Sequence, residues 1–198
     1  MPGKRLILAS DSPRRIALLS VLRYPFDSIP HEVEESVYSG FQPADFVQHL
    51  AYLKARDVAN RVNGEAIILA ADTIVVYDKR ILGKPKDAHD AKKMLSMLSN
   101  SEHEVISGIC MLDTLLKKKM LRFCTTYIRI RYISEKEIDE YVKTGEPLDK
   151  AGSYAIQDKE RKFAERIAGS YSNAVGLPLE TVKETLNNFI NNTNAEKF

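Results

Sequence analysis

Leu6-Ile7-Leu8-Ala9-Ser10-Asp11-Ser12-Pro13-Arg14-Arg15 is the stretch that decides the fold. Its four apolar residues predict a short buried strand, and a run of small and polar residues turns straight into a helix. Pro13 suits the first helical position, where its missing N–H costs nothing, and Ser12 or Asp11 can cap the free amides. Ile16, Leu18, Leu19 and Leu22 then recur at the helical period and predict the buried face. A helix start with unpaired N–H groups, two hydroxyls and two adjacent guanidinium groups is a candidate cradle for a polyphosphate. The plainer reading is a capped helix with two solvated arginines.

Around this opening, 198 residues suffice for a full core, and one domain is the simplest count. Residues 1–190 form that domain in our reading, and 191–198 a polar, frayed tail. With 29 basic and 27 acidic residues the net charge is +2, which argues against a nucleic-acid or membrane surface. Cys110 and Cys124 lie far apart in strand-like apolar stretches. They read as packing rather than metal ligands or nucleophiles, and two such residues predict a reducing, cytoplasmic setting. The apolar run near the N-terminus, Leu6 to Ala9, is too short for a signal peptide or a membrane span.

Onward from the first helix, Tyr24-Pro25-Phe26 opens an extended segment reaching about Ile29. Pro30-His31-Glu32-Val33-Glu34-Glu35-Ser36 is acidic. It is either a solvated loop or a source of one carboxylate for a divalent cation, since magnesium takes oxygen ligands and keeps several waters. Pro43 opens a long helix to about Val62, in which Phe46, Val47, Leu50, Leu53, Val58 and Val62 keep the period. Lys54 lies close to that apolar face, either snorkelling or pointing into a pocket.

Ala66 to Tyr77 is a nearly continuous apolar β run, the pattern of a strand buried on both faces. Asp72 and Thr73 interrupt it. A carboxylate inside such a run must find a partner, change its protonation or bind metal, so Asp72 is the best catalytic candidate in the chain. Asp78-Lys79 predicts a hairpin turn with Ile81-Leu82 as the return. Gly83-Lys84-Pro85 follows, where the glycine admits a close ligand and Lys84 offers a point charge for phosphate. The spacing is not that of a P-loop.

Asp87 caps a helix to Leu98 that turns Ala91, Met94, Leu95 and Leu98 inward. Residues 104–112 and 120–132 read as strands about a Leu116-Lys117-Lys118-Lys119 turn. Ser134-Glu135-Lys136-Glu137 is a capping box with Ile133 and Ile138 as its staple, and its helix stops at Gly145. After Gly152 we expect a short strand ending at Gln157, whose amide suits the edge of a base. Phe163 to Ile167 is a further strand, Gly169 to Asn173 a turn, and the last helix runs from Pro178 through Ile190.

In this order the pieces resemble the Maf family of nucleoside triphosphate pyrophosphatases over roughly residues 5–185. The motifs are Ser10 to Arg15, Glu34-Glu35, Leu50 through Lys54-Ala55, Ala71-Asp72-Thr73-Ile74-Val75 and Gly83-Lys84-Pro85. Leu148-Asp149-Lys150-Ala151-Gly152, Ile156-Gln157 and Gly169-Ser170-Tyr171 with Val175-Gly176-Leu177-Pro178-Leu179 complete the set. The resemblance implies an α/β fold, a mixed central sheet flanked by helices in two lobes with a cleft between them, and a homodimer. It also implies hydrolysis of a nucleoside triphosphate to the monophosphate and pyrophosphate with Mg2+ or Mn2+. By analogy Asp72 is the proton acceptor, working with Lys54 and Glu35, and Glu35 and Asp72 hold the metal. Arg14, Arg15, Lys54 and Lys84 surround the phosphates, assisted by Ser10 and Ser12. Arg14, Thr73 and Gln157 match the selecting positions of the branch acting on dTTP and UTP.

Two departures stand out. Asp158 to Lys162 replaces the glycine and apolar residues common in relatives, which bears on the base-side rim. Asp11 sets a negative charge beside the phosphate cradle. The competing readings are a house-cleaning pyrophosphatase for a modified purine triphosphate, a low-turnover nucleotide-binding regulator of cell division and, third, a nucleic-acid-binding module.

Overall fold

The computed structural model describes residues 4–34, 40–116, 118–157, 161–190 and 196–197. Its backbone forms one mixed sheet with the order β2 (Asp27–Ser28), β1 (Arg5–Leu8), β3 (Ala66–Tyr77), β5 (Glu102–Asp113), β6 (Lys118–Ile130) and β7 (Ala164–Ala168). A short β4 (Arg80–Leu82) pairs with β3, and β8 (Glu196–Lys197) pairs with β6. β1 runs parallel to β2 and β3, whereas β4, β7 and β8 are antiparallel to their neighbours. The helices are α1 (Pro13–Val21), α2 (Pro43–Arg61), α3 (Ala88–Leu98), α4 (Glu135–Lys143), α5 (Tyr171–Val175) and α6 (Leu179–Ile190). The expected α/β architecture of a mixed sheet flanked by helices is what the chain adopts.

Two compact units divide the chain. The first holds Met1–Asp72, Ser107–Cys124 and Gly176–Phe198, and the second holds Thr73–Ile106 and Thr125–Val175. In the first unit, strand alternation sorts side chains onto two faces. The register pairs Leu6 with Ile67 and Leu8 with Leu69, and these pack with Ile109 and Met111 against Leu19 of α1 and Val182, Leu186 and Phe189 of α6. On the other face Ile7, Ala66, Ile68, Ala70, Cys110 and Leu112 pack against Ala51, Ala55 and Val58 of α2. Each large apolar side chain buried here contributes about 1.5–3 kcal/mol, which offsets the cost of seating charged groups among them.

The second unit has its own core. Val75, Leu82, Val105, Ile128 and Ile130 pack with Ala91, Leu95 and Leu98 of α3 and Ile138, Tyr141 and Val142 of α4. The hairpin turn falls at Asp78 and Lys79, both with φ above zero (47° and 61°), as a two-residue turn of this kind needs. Asp87 caps α3 by accepting from the Asp90 amide. Ser134 and Glu137 complete their capping box, and Gly145 leaves α4 at φ 77°.

Four local expectations are corrected. No strand leads from Gly152 to Gln157, because Gly152 and Ser153 are both left-handed and wind residues 151–153 into a 3-10 turn. Gly169 to Asn173 is not a simple turn. Ser170 Oγ accepts from the Asn173 amide and starts the one-turn helix α5. Ser12 occupies the N-cap of α1 without a side-chain cap bond, although the predicted apolar face holds, with Ile16, Leu18 and Leu22 packed beside the buried Leu19. Where a frayed tail is expected, Glu196 and Lys197 pair with Lys119 and Lys118 as β8.

Candidate active site

Asp72 sits on the α2 face of β3, in step with Ala66, Ile68 and Ala70. On α2, Lys54 lies on the same inward stripe as Ala51, Ala55 and Val58. These two periodicities bring the side chains together, with Lys54 Nζ 2.6 Å from Asp72 Oδ1. The lysine is completely buried and the aspartate nearly so. The lysine therefore does not snorkel; it points inward at the one carboxylate in the strand.

Gly108 on β5, which the sequence reading passed over, makes this possible. A Cβ there would lie 2.4 Å from the backbone carbon of Val47, so the glycine lets the α2 backbone rest directly on the sheet. Lys54 follows two turns later on the same helix. A glycine inside an apolar strand is the signal that could have found it.

Also in the first unit, Ser10 is buried, and its Oγ accepts from the Ser12 amide at 3.2 Å while its carbonyl accepts from Ser28 Oγ. The loop between β1 and α1 is thereby fixed by the hydroxyls of Ser10 and of Ser28 on β2. Arg14 is exposed at the start of α1. The half-buried Arg15 donates through Nε to the carbonyl of Gly176 at 3.0 Å, tying α1 to the segment that enters α6. The adjacent arginines are thus not equivalent.

The second unit contains Thr73, Lys84 and Gln157. Thr73 is half-buried on β3, immediately after Asp72, and Lys84 and Gln157 are exposed. The Gly83 carbonyl accepts from the Gly152 amide at 3.1 Å, so the Gly83-Lys84-Pro85 loop is held by the turn that precedes Gln157.

Glu35 lies outside the described residues, whereas Glu34 is exposed. Among the described residues no group of three or more His, Cys, Asp and Glu side chains is placed to hold a metal ion. A donor set with one carboxylate, Asp72, fits a cation that takes few protein ligands, as Mg2+ does. Cys110 is buried, and burial pushes its thiol up to about 12; burial also raises that of Cys124. Both fit packing rather than nucleophilic roles. No helix among the described residues is long and apolar enough to cross a membrane.

Fold and site together define an α/β protein whose central strand carries a carboxylate clamped by a buried ammonium. The chain belongs to the Maf-like protein family, whose model matches residues 5–189. It is 48% identical over 183 residues to a protein of Alkaliphilus metalliredigens named dTTP/UTP pyrophosphatase, covering 92% of this chain and 95% of that one. Proteins of the same name from Ruminiclostridium cellulolyticum and Bacillus cytotoxicus are each 47% identical, covering 92% and 94% of this chain and 95% and 96% of their own. Among solved structures, the Staphylococcus aureus Ham1 protein aligns over 93% of this chain and 98% of its own, with a TM-score of 0.49 and 16% identity.

Proposed function

We propose that this protein hydrolyses dTTP and UTP to the monophosphate and pyrophosphate, with water as the second reactant. The name shared by its relatives supports this reading. The single structural observation that carries it is the buried Lys54–Asp72 pair. A carboxylate is an expensive group to place in a strand core, and its position beside an ammonium at the edge of a polar break suits a general base.

In this reading Asp72 accepts the proton of the attacking water. Lys54 holds the carboxylate in place and offsets its charge. Arg14 and Lys84, both exposed, neutralise the polyphosphate, with Arg15, Ser10 and Ser12 shaping the loop at the start of α1. Thr73 and Gln157 select the base. Phosphoryl-type transfer asks mainly for such positioning and charge neutralisation. A divalent cation, when bound, supplies further neutralisation of phosphate charge; Asp72 and Glu35 would hold it. Residues 1–190 act as one functional domain in a cytoplasmic homodimer.

The test is pyrophosphate release measured across canonical and modified triphosphates with Mg2+ or Mn2+. We expect dTTP and UTP to lead the panel. A modified purine triphosphate turned over faster would move the assignment to that substrate class. Tight nucleotide binding without product would replace it with a regulatory role.

A further inference from the structure

We propose that Tyr154, fastened by His103, is a positioning residue for Thr73, Lys84 and Gln157. The inference rests on the reading of the protein as a nucleotide pyrophosphatase, and all of its parts lie within the second unit. Gly152 and Ser153 are consecutive left-handed residues, at φ 69° and 63°. A buried serine in that conformation is strained and persists only where its surroundings over-determine it. Those surroundings are specific. The Gly152 amide donates to Gly83 at 3.1 Å, one residue before Lys84. A Cβ on Gly152 would meet the Val75 methyls at 3.1 and 3.2 Å, two residues beyond Thr73. Ser153 Oγ contacts Met94 Sδ at 3.3 Å. Tyr154 then closes the turn, its hydroxyl 2.7 Å from His103 Nε2 and its ring edge-on to the imidazole. Gln157 follows three residues later.

His103 and Tyr154 are both buried, and among the described residues His103 Nδ1 has no hydrogen-bond partner. If the hydroxyl donates to Nε2, one buried N–H is left unmet. If Nε2 donates instead, both the hydroxyl hydrogen and Nδ1 are left unmet, so the hydroxyl is the donor. An apolar residue would fill the position of His103 without an orphaned nitrogen. The bond from Tyr154 is what the imidazole adds. One buried turn therefore bonds the backbone one residue before Lys84, packs on the Val75 side chain two residues beyond Thr73, and leads into Gln157 three residues on.

The experiment is steady-state hydrolysis of dTTP, UTP and dCTP by wild type, Y154F, H103L, H103Q and S153G, run well below each melting temperature. Y154F keeps the ring and loses the hydroxyl. We expect about a tenfold rise in KM for dTTP and a similar loss of preference over dCTP, with kcat within about threefold, as for one lost orienting hydrogen bond. H103L should behave alike, and H103Q, whose side chain can again accept from Tyr154, should recover most of the preference. S153G, which adopts the left-handed conformation without strain and leaves the Tyr154–His103 bond in place, should keep the base preference. Folded Y154F and H103L with unchanged KM and preference would overturn the positioning role alone. A wild type that releases no pyrophosphate from any triphosphate would overturn the pyrophosphatase reading and the positioning role with it.

Discussion

Lys54 Nζ of α2 and Asp72 Oδ1 of β3, 18 residues apart in sequence, meet at 2.6 Å in a place where the lysine has no contact with solvent. Removing one member of such a pair leaves the other charge buried and uncompensated, which costs about 3–5 kcal/mol. Replacing both by apolar side chains of similar volume is often neutral. We therefore expect Lys54→Met to lower stability in urea by about that amount and to abolish turnover. The double variant K54M/D72L should regain most of the stability and none of the activity. Activity in the double variant would reduce the pair to packing.

Gly108 gives a test that touches neither charge. Gly108→Ala sets a methyl 2.4 Å from the Val47 backbone carbon, a distance that forces α2 off the sheet. Overpacking of this kind costs about 1–3 kcal/mol. Because Lys54 rides on the same helix, kcat should fall more than KM changes. Unfolding curves and steady-state kinetics on the folded variant check both parts.

Much of this is legible in the residues themselves. The apolar run from Ala66 to Tyr77 announces a strand covered on both faces, and Asp72 announces itself by being in it. The turn at Asp78-Lys79 and the capping box at Ser134 are equally plain, since local backbone chemistry decides them. What cannot be read is tertiary. Lys54 has two destinations until α2 is docked, and Gly108 has meaning only with Val47 above it. Apolar residues around Tyr154 imitate a strand, but the left-handed pair before it and the bond to His103 overrule that pattern. Arg14 and Arg15 are indistinguishable in sequence, and the fold separates them by half-burying Arg15 against the carbonyl of Gly176.

His103 makes stability depend on pH. Burial lowers its pKa from 6.5 to about 4. Between those values the unfolded chain binds the proton and the folded one does not, so stability is lost as pH falls from 6.5 towards 4. The full difference is about 3 kcal/mol. Thermal unfolding from pH 7 to 4 should show this slope, and H103Q should flatten it.

Arg14 and Gln157 should fail in different ways. Arg14→Ala removes an exposed charge from the start of α1, and its KM for every triphosphate should rise by about tenfold or more. Gln157→Ala should leave the best substrate little affected while narrowing the gap between dTTP and the other pyrimidine triphosphates. The same substrate panel, fitted for KM and kcat separately, distinguishes the two.

The most direct test of the account is Asp72→Asn, which keeps the shape of the side chain and removes its ability to take a proton. Pyrophosphate release from dTTP should fall by about 10²–10⁴-fold, while calorimetry still detects nucleotide binding within a few-fold of wild type. A D72N variant that folds and hydrolyses dTTP at the wild-type rate would contradict the assignment of Asp72 as the base.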